Sequence, residues 1–329
     1  MKPAPFRYHA PTTLAEALAL KAGHGEEARF LAGGQSLIPA MNFRVAQPAV
    51  LIDLNRVAEL DRLAVDEAGT LRVGALCRYR RLERDPAVAA RFPIIPEALA
   101  EVAHPQIRTR GTLAGNLCHA DPASEMPAVV LALEGRLHLR SAAGERWLDA
   151  QDFFLGALYT ALRPDEMLLE IALPALPARS GTAFLELARR RGDYAMMGVA
   201  AVVTLRADGR VERARLACCN AGDTPLAAAE AAAALAGARP DAAAIRDAAA
   251  LVRGAVQPAG NLHASPAYGR HLAGVLAERA LRLATARAAA AAGFPPPDWA
   301  APLPGTAPHP AAAPFPVTSL PAALPEVPA

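Results

Sequence analysis

The feature that most constrains this chain is a pair of glycine-rich segments separated by about 80 residues. The first segment reads Ala32-Gly33-Gly34-Gln35-Ser36-Leu37, and the second reads Thr112-Leu113-Ala114-Gly115-Asn116. Converging backbone N–H groups bind a pyrophosphate well, and Cβ atoms would obstruct its approach. Paired glycines beside a hydroxyl donor therefore predict a site for the charged centre of a dinucleotide. A single Gly-Gly more often serves the backbone alone, because glycine adopts a positive φ at low cost.

The first segment lies within a predicted strand-turn-helix-strand unit. Strands are predicted at 28–32 and 50–54, with a short helix at 36–44 between them. The glycines do not have the G-x-G-x-x-G spacing of a Rossmann fingerprint. The spacing therefore argues against a nicotinamide-type dinucleotide site.

Composition excludes several classes of protein. The chain has 329 residues, of which 53% are hydrophobic, and this predicts a sizeable core and at least two domains. Its formal net charge is only +2, so neither nucleic acid nor an anionic membrane is expected as the main partner. The four cysteines form no C-x-x-C pair, so we expect packed thiols in a reducing, cytoplasmic compartment and no metal site. Neither a signal peptide nor a membrane-spanning segment is predicted.

The pattern before residue 174 predicts mixed helix and sheet. Thr13 and Glu16 form a capping box that begins an amphipathic helix ending near residues 23–25. Hairpins are predicted at 63–73 and 136–148, and a buried helix at 122–133. Helical spacing at 79–103 is interrupted by three prolines, Pro86, Pro93 and Pro96, each of which is expected to break the helix.

A domain boundary is predicted near residues 174–181, where Pro174, Pro177 and Gly181 interrupt the pattern. Beyond it, Asp208-Gly209 predicts a tight hairpin between strands at 199–206 and 211–219. Alanine-rich helices are predicted near 225–235, 242–256 and 267–292, so the fold class is α+β. Prolines recur throughout 293–329, which is typical of a disordered or surface-draped tail.

Longer motifs resemble the FAD-binding medium subunit of the molybdenum hydroxylases, the family of carbon monoxide dehydrogenase and xanthine dehydrogenase. The resemblance covers the first nine tenths of the chain, roughly, and stops at the tail. It is carried by residues 32–39, 51–55, 104–117, 119–128, 162–166, 189–195 and 268–274. The most specific of these motifs is His104-Pro105-Gln106-Ile107-Arg108-Thr109-Arg110-Gly111-Thr112-Leu113-Ala114-Gly115-Asn116-Leu117.

The resemblance implies a two-lobed FAD-binding domain at 1–175, a C-terminal domain of antiparallel sheet and helices at 176–292, and the tail at 293–329. It also implies that FAD lies between the domains, with Tyr194 near the isoalloxazine face. The residues that it places at the cofactor are Phe30, Leu31, Ala32, Gly33, Gly34, Gln35, Ser36, Leu37, Val102, Ala103, Thr112, Ala114, Gly115, Asn116, Glu125, Leu168 and Tyr194.

Two departures from the family pattern are informative. Cys118 is followed directly by His119-Ala120-Asp121-Pro122, so the extra iron–sulfur cluster of the 4-hydroxybenzoyl-CoA reductase type is expected to be absent. Ala114 stands where the family often has glycine, which places a methyl group beside the predicted pyrophosphate site.

The resemblance implies an electron-transfer role. Substrate would be oxidised at a molybdenum cofactor on a large subunit, and electrons would pass through two [2Fe-2S] clusters on a small subunit to FAD on this chain and then to an external acceptor. No catalytic residue is assigned, and His104 and His119 are as consistent with ordinary loop positions as with phosphate contacts. The alternatives are a free-standing flavin-dependent oxidoreductase and a scaffold without cofactor, and the intact glycine segments argue against the scaffold.

Overall fold

The computed structural model describes residues 2–295 and 299. Of the predicted tail, residues 296–298 and 300–329 lie outside the described residues. Among the described residues, no helix is both long enough and apolar enough to span a bilayer.

The N-terminal part begins with a three-stranded parallel sheet. Its strands are β1 (Arg7–His9), β2 (Ala28–Leu31) and β3 (Val50–Asp53), and β3 is central. Helix α1 (Leu14–His24) follows β1, and α2 (Leu37–Asn42) connects β2 to β3. Thr13 Oγ1 accepts a hydrogen bond from the N–H of Glu16, which confirms the predicted start of α1. The predicted strand-turn-helix-strand unit is also confirmed.

A five-stranded antiparallel sheet forms the second lobe. Its strands are β4 (Leu63–Val65), β5 (Leu71–Gly74), β6 (Arg136–Arg140), β7 (Glu145–Asp149) and β10 (Met167–Leu173), in the order β4-β5-β10-β6-β7. The short strands β8 (Phe154–Gly156) and β9 (Tyr159–Thr160) pair separately. The predicted hairpins are therefore correct, because β4 pairs with β5 and β6 with β7.

Six helices lie between β5 and β6: α3 (Tyr79–Arg84), α4 (Pro86–Arg91), α5 (Ile94–Glu101), α6 (Pro105–Arg108), α7 (Leu113–His119) and α8 (Glu125–Ala132). Pro86 begins α4, and Pro93 directly precedes α5, as expected of helix breaks. The prediction for Pro96 is wrong, because α5 continues through it. Pro96 is the third residue of α5, where a backbone N–H has no acceptor within the helix, so proline removes no helical hydrogen bond.

The C-terminal part places a sheet before three helices. The antiparallel strands are β11 (Ser180–Ala188), β12 (Ala195–Leu205), β13 (Val211–Cys219) and β14 (Leu226–Ala227), in that order. The helices are α9 (Ala229–Leu235), α10 (Ala242–Ala255) and α11 (Pro266–Ala291). The predicted start of a helix near Pro225 is wrong, because β14 pairs with β13. The α+β class and the hairpin at Asp208-Gly209 are confirmed.

The sheet β11–β14 is buried on both faces. Val199 and Val203 pack in one hydrophobic core with α10 and α11, whereas Ala200 and Val202 pack in the other core with residues of α5 and α8. This explains the continuous apolar run of β12, because a strand covered on both sides needs no polar face. Glu97 of α5 also pairs with Arg287 of α11 at 2.6 Å. The N-terminal and C-terminal parts therefore share one sheet.

Candidate cofactor site

The first glycine-rich segment touches the backbone that leads directly into the second one. A Cβ atom added to Gly33 would lie 2.4 Å from the carbonyl oxygen of Arg110 and 2.8 Å from Cα of Gly111. Glycine at position 33 is thus required by the contact between the segments. The absent side chain at Gly33 therefore has a packing reason, in addition to the predicted approach of a ligand.

The first segment exposes a row of backbone donors. Within the described residues, no acceptor receives the N–H groups of Gly33, Gly34, Gln35 or Ser36. Gly34 has φ of +72°, and Gln35 Nε2 donates to the Gly33 carbonyl at 3.0 Å, which folds the loop on itself. A cavity of about 290 Å³ lies beside these donors, lined also by Arg110. Consecutive free amides of this kind bind anions.

The second segment is the beginning of helix α7 rather than a turn. Thr112 is the N-cap residue, and its Oγ1 accepts a hydrogen bond from the N–H of Gly115 at 3.0 Å. A Cβ atom at Gly115 would lie 2.8 Å from that same oxygen. Ala114 is buried in the core, so its methyl group packs inside the protein. We expected this segment to be a turn, but it is helical from Leu113, and Gly115 serves the helix cap.

Asn116 connects α7 to the start of α8. Its Nδ2 donates to Ser124 Oγ at 2.9 Å, and Ser124 directly precedes Glu125. Its Oδ1 is buried and has no hydrogen-bond partner among the described residues. A buried acceptor without a partner is costly, and a donor on a bound molecule would remove that cost.

Two buried carboxyl groups lie near each other beyond Asn116. The Glu125 side chain is 6% exposed, and burial, with lesser effects of Asp121 and Glu101, raises its pKa to about 7. Burial, followed by the charges of Glu125 and Glu101, raises the pKa of Glu186 on β11 to about 9. Both carboxylate oxygens of Glu186 are buried without a partner in the described part of the chain. Glu186 is therefore a neutral acid at pH 7.

Tyr194 lies in a segment that packs on the end of α5. A Cβ atom at Gly192 would lie 2.7 Å from the carbonyl oxygen of Ala103, so the chain at 192 contacts residue 103 directly. Val102 is the buried C-cap residue of α5, and Ala103 has φ of +44°. The Tyr194 side chain is 66% exposed, which leaves its ring available to a flat ligand.

The other predicted site residues lie on the first sheet, on α2 and on β10. Leu168 of β10 is 3% exposed and packed in the core, so only its backbone is available to a ligand. The remaining ones are half-buried: Phe30 and Leu31 on β2, Ala32 and Ser36 in the loop, and Leu37 at the start of α2. The structure thus brings the first glycine segment against the start of the second and joins Asn116 to Ser124, the residue before Glu125. The cofactor contacts of all these residues stay predictions.

Three residues that the sequence did not assign to the site are placed there by the structure. Asn55 and Arg78 hydrogen-bond to the two glycine segments, and Glu186 lies beside Glu125. Asn55 follows a strand end, which is a weak signal. Arg78 and Glu186 carry no local signal, because their neighbours come from sequence positions far away.

Both parts of the chain match families of known proteins. Residues 4–176 match the family described as the FAD binding domain in molybdopterin dehydrogenase. Residues 182–284 match the CO dehydrogenase flavoprotein C-terminal domain. The first match covers the two N-terminal lobes, with their parallel and antiparallel sheets. The second covers most of the C-terminal sheet and its helices.

Similar proteins include medium subunits of dehydrogenases. The caffeine dehydrogenase subunit beta of Pseudomonas sp. (strain CBB1) is 47% identical over 69% of this chain and 76% of its own. The carbon monoxide dehydrogenase medium chain of Afipia carboxidovorans is 38% identical over 88% of this chain and 99% of its own. A structure of carbon monoxide dehydrogenase from Hydrogenophaga pseudoflava superposes with a TM-score of 0.85 and 39% identity, covering 87% of this chain and 99% of that one. The chain belongs to the FAD-binding medium subunits of the molybdenum hydroxylases, and it is an oxidoreductase flavoprotein.

Proposed function

We propose that this chain transfers electrons from [2Fe-2S] clusters of a small partner subunit, through FAD, to an external acceptor. Substrate is oxidised at a molybdenum cofactor on a large partner subunit. The observation that carries the proposal is the similarity to the carbon monoxide dehydrogenase medium chain, which extends over 99% of that relative. Substrate chemistry is therefore assigned to the partners rather than to this chain.

The unpaired polar atoms of the site support FAD between the glycine segments. Four free amides at residues 33–36 suit the two phosphates, and the orphan Oδ1 of Asn116 suits a hydroxyl donor such as those of a ribityl chain. The requirement for glycine at 33 and 115 comes from the protein's own packing. We therefore assign the binding contacts to the backbone N–H groups rather than to missing side chains.

When bound, FAD supplies a group that accepts electrons singly and releases them in pairs. The chain's own residues bind and orient it, with the exposed ring of Tyr194 shielding the flat surface. Glu186 keeps a proton at neutral pH, so it adds no negative charge beside Glu125. Glu125, with a pKa of about 7, changes charge in the physiological range.

The alternative of a free-standing flavin enzyme needs a group that acts on substrate. Burial raises the pKa of the Cys77, Cys118 and Cys218 thiols to about 12, so these cysteines are protonated at neutral pH and are poor nucleophiles. These cysteines therefore supply no nucleophile for a free-standing enzyme, whereas the electron-transfer role needs none.

Two measurements test the proposal. The purified protein is expected to be yellow and to release FAD rather than FMN on denaturation, and protein that stays colourless after incubation with FAD contradicts it. Coexpression with a small [2Fe-2S] protein and a large molybdenum-cofactor protein is expected to give a complex in which an organic substrate reduces the flavin. Full-rate turnover by this chain alone would instead support the free-standing enzyme.

A further inference from the structure

A chain of hydrogen bonds through Asn55 and Arg78 joins the two glycine-rich segments. Asn55 Nδ2 donates to the carbonyl oxygen of Ala32 at 3.0 Å. Asn55 Oδ1 accepts a hydrogen bond from Arg78 Nη2, and Arg78 Nη1 donates to the carbonyl oxygen of Arg110 at 2.6 Å. One end of this bridge is the carbonyl directly before Gly33 of the first segment, and the other is the carbonyl directly before Gly111, which precedes the second segment.

Other hydrogen bonds hold the backbones of Asn55 and Arg78 in place. Asp53 Oδ1 accepts the backbone N–H of Asn55 at 2.9 Å, and Asp53 Oδ2 accepts the Tyr8 hydroxyl at 2.5 Å. At the other end, the backbone of Arg78 forms an isolated β-bridge with Thr112, the cap of α7. The backbone positions from which the Asn55 and Arg78 side chains extend are therefore fixed.

Arg78 brings to this place a positive charge that forms no direct ion pair with a described carboxylate. Its side-chain hydrogen bonds go to an amide oxygen and a backbone carbonyl, and no carboxylate of the described residues lies within ion-pair distance. Burial, and then the neighbouring charge of Arg110, lower its pKa. The charges of Asp61 and Asp53 act in the opposite direction on this pKa, and an anion bound close to both Arg78 and Arg110 would stabilise the two cations further.

The contact that the bridge controls is the tightest one in the site. A Cβ atom at Gly33 would be 2.4 Å from the carbonyl oxygen of Arg110, which is the oxygen that Arg78 holds. Displacement of this carbonyl would shift the loop whose four amides are free. The direction of those amides thus depends on Asn55 and Arg78.

We propose that Asn55 and Arg78 are positioning residues for the cofactor, which set the spacing of the two segments and add positive charge for the pyrophosphate. The inference rests on the proposed placement of FAD between residues 32–36 and 112–116. Neither side chain takes part in electron transfer. Their loss is expected to weaken FAD binding while the remainder of the fold stays intact.

The test compares the FAD dissociation constants of apo proteins by flavin fluorescence. Asn55→Ala and Arg78→Met are each expected to weaken binding roughly tenfold, because each breaks a hydrogen bond to a charged group. The double variant is expected to bind about as weakly as the weaker single variant, since both changes break the same bridge. Additive losses would overturn the bridge.

Arg78→Lys separates charge from geometry. Lysine keeps the positive charge but cannot donate to two acceptors in the planar fork of arginine. Compared with Arg78→Met, we expect Arg78→Lys to bind FAD more tightly only through its charge. This gain in affinity should disappear when salt is added. Wild-type affinity in Arg78→Lys would overturn the bridge and leave a charge effect alone.

Arg72→Met is the matched control, because Arg72 is also partly exposed and hydrogen-bonded, but to Asp66 and Glu170 on the neighbouring sheet. It is expected to lower the thermal unfolding temperature without changing FAD affinity. Arg78→Met that lowers the unfolding temperature and leaves the dissociation constant unchanged would overturn the inference. Failure of the wild-type protein to bind FAD would contradict the proposed function instead, so the two failures are distinguishable.

Discussion

Glu186 illustrates how a single buried carboxyl group links stability to pH. Its pKa is raised to about 9 by burial and by Glu125 and Glu101, whereas the unfolded chain ionises near 4.5. The native state therefore binds more protons than the unfolded state between these values, so this group's contribution to stability falls as pH rises from 4.5 to about 9.

Glu186→Gln is expected to flatten this dependence. The apo variant should unfold at a higher temperature than wild type near pH 9 and at the same temperature below pH 4.5. Thermal denaturation followed by circular dichroism across this range provides the measurement. A wild-type pH profile in the variant would show that Glu186 ionises normally in the folded protein.

Glu166 is expected to behave in the opposite way. Burial raises the pKa of its carboxyl, but hydrogen bonds from Arg146 at 2.7 Å and from the Arg163 N–H at 2.8 Å outweigh burial, and the net pKa is lowered. Its stabilisation is present above the unfolded value of 4.5 and is lost as pH falls through the folded pKa. Glu166→Gln should therefore destabilise the protein at pH 7 and have little effect at strongly acidic pH. An equal loss at both would contradict this sign.

Prediction from sequence was least complete at the residue scale. The glycines were identified because a missing side chain lets a phosphate approach backbone N–H groups, yet the structural reason for Gly33 is a carbonyl 77 positions later, at Arg110. Arg78 and Glu186 were not identified, because a side chain's partners across the fold leave no periodic pattern in its own segment.

The start of helix α7 is the element on which the second segment depends. Gly115→Ala is expected to destabilise the protein, since the new Cβ would lie 2.8 Å from Thr112 Oγ1 and displace the cap. Thr112→Ala alone should cost about 1 kcal/mol through loss of the cap. In the Thr112→Ala background the clash is gone, so Gly115→Ala should cost less there than in wild type. Chemical denaturation measures all three, and simple additivity would contradict the cap interpretation.

Gly254 of α10 provides the control for that experiment. A Cβ atom at Gly254 would meet nothing within 4 Å, so Gly254→Ala should be neutral or should stabilise the protein by up to about 1 kcal/mol. A loss at Gly254 as large as that at Gly115 would mean that alanine is unfavourable in these helices for another reason.

Elements with local signals were predicted well. The capped start of α1 and three hairpins were correct, because capping residues and tight turns act over a few positions. The break at Pro96 and the helix start at Pro225 were wrong. The outcome at Pro96 depends on its place in the first turn of α5, and the outcome at Pro225 depends on the pairing of β14 with β13. Local composition encodes neither.

At the scale of the whole molecule, the shared sheet predicts that the two parts do not separate. The predicted domain boundary at residue 175 lies in the connection between β10 and β11. Cleavage at a protease site inserted between residues 175 and 179 should leave two fragments that coelute on size exclusion, because α5 and α8 cover one face of β11–β13. Fragments that separate without denaturant would indicate independent domains.

The same shared sheet has a consequence for the order of events during synthesis. The face of α5 that contacts β11 and the face of α8 that contacts β12 and β13 have all of these partners only once residue 219 has left the ribosome. The opposite face of that sheet is fully covered only after α11, which ends at residue 291, has been synthesised. The core of the N-terminal part is therefore completed only after residue 219 has been translated, so both glycine-rich segments are synthesised well before the core that supports them is complete.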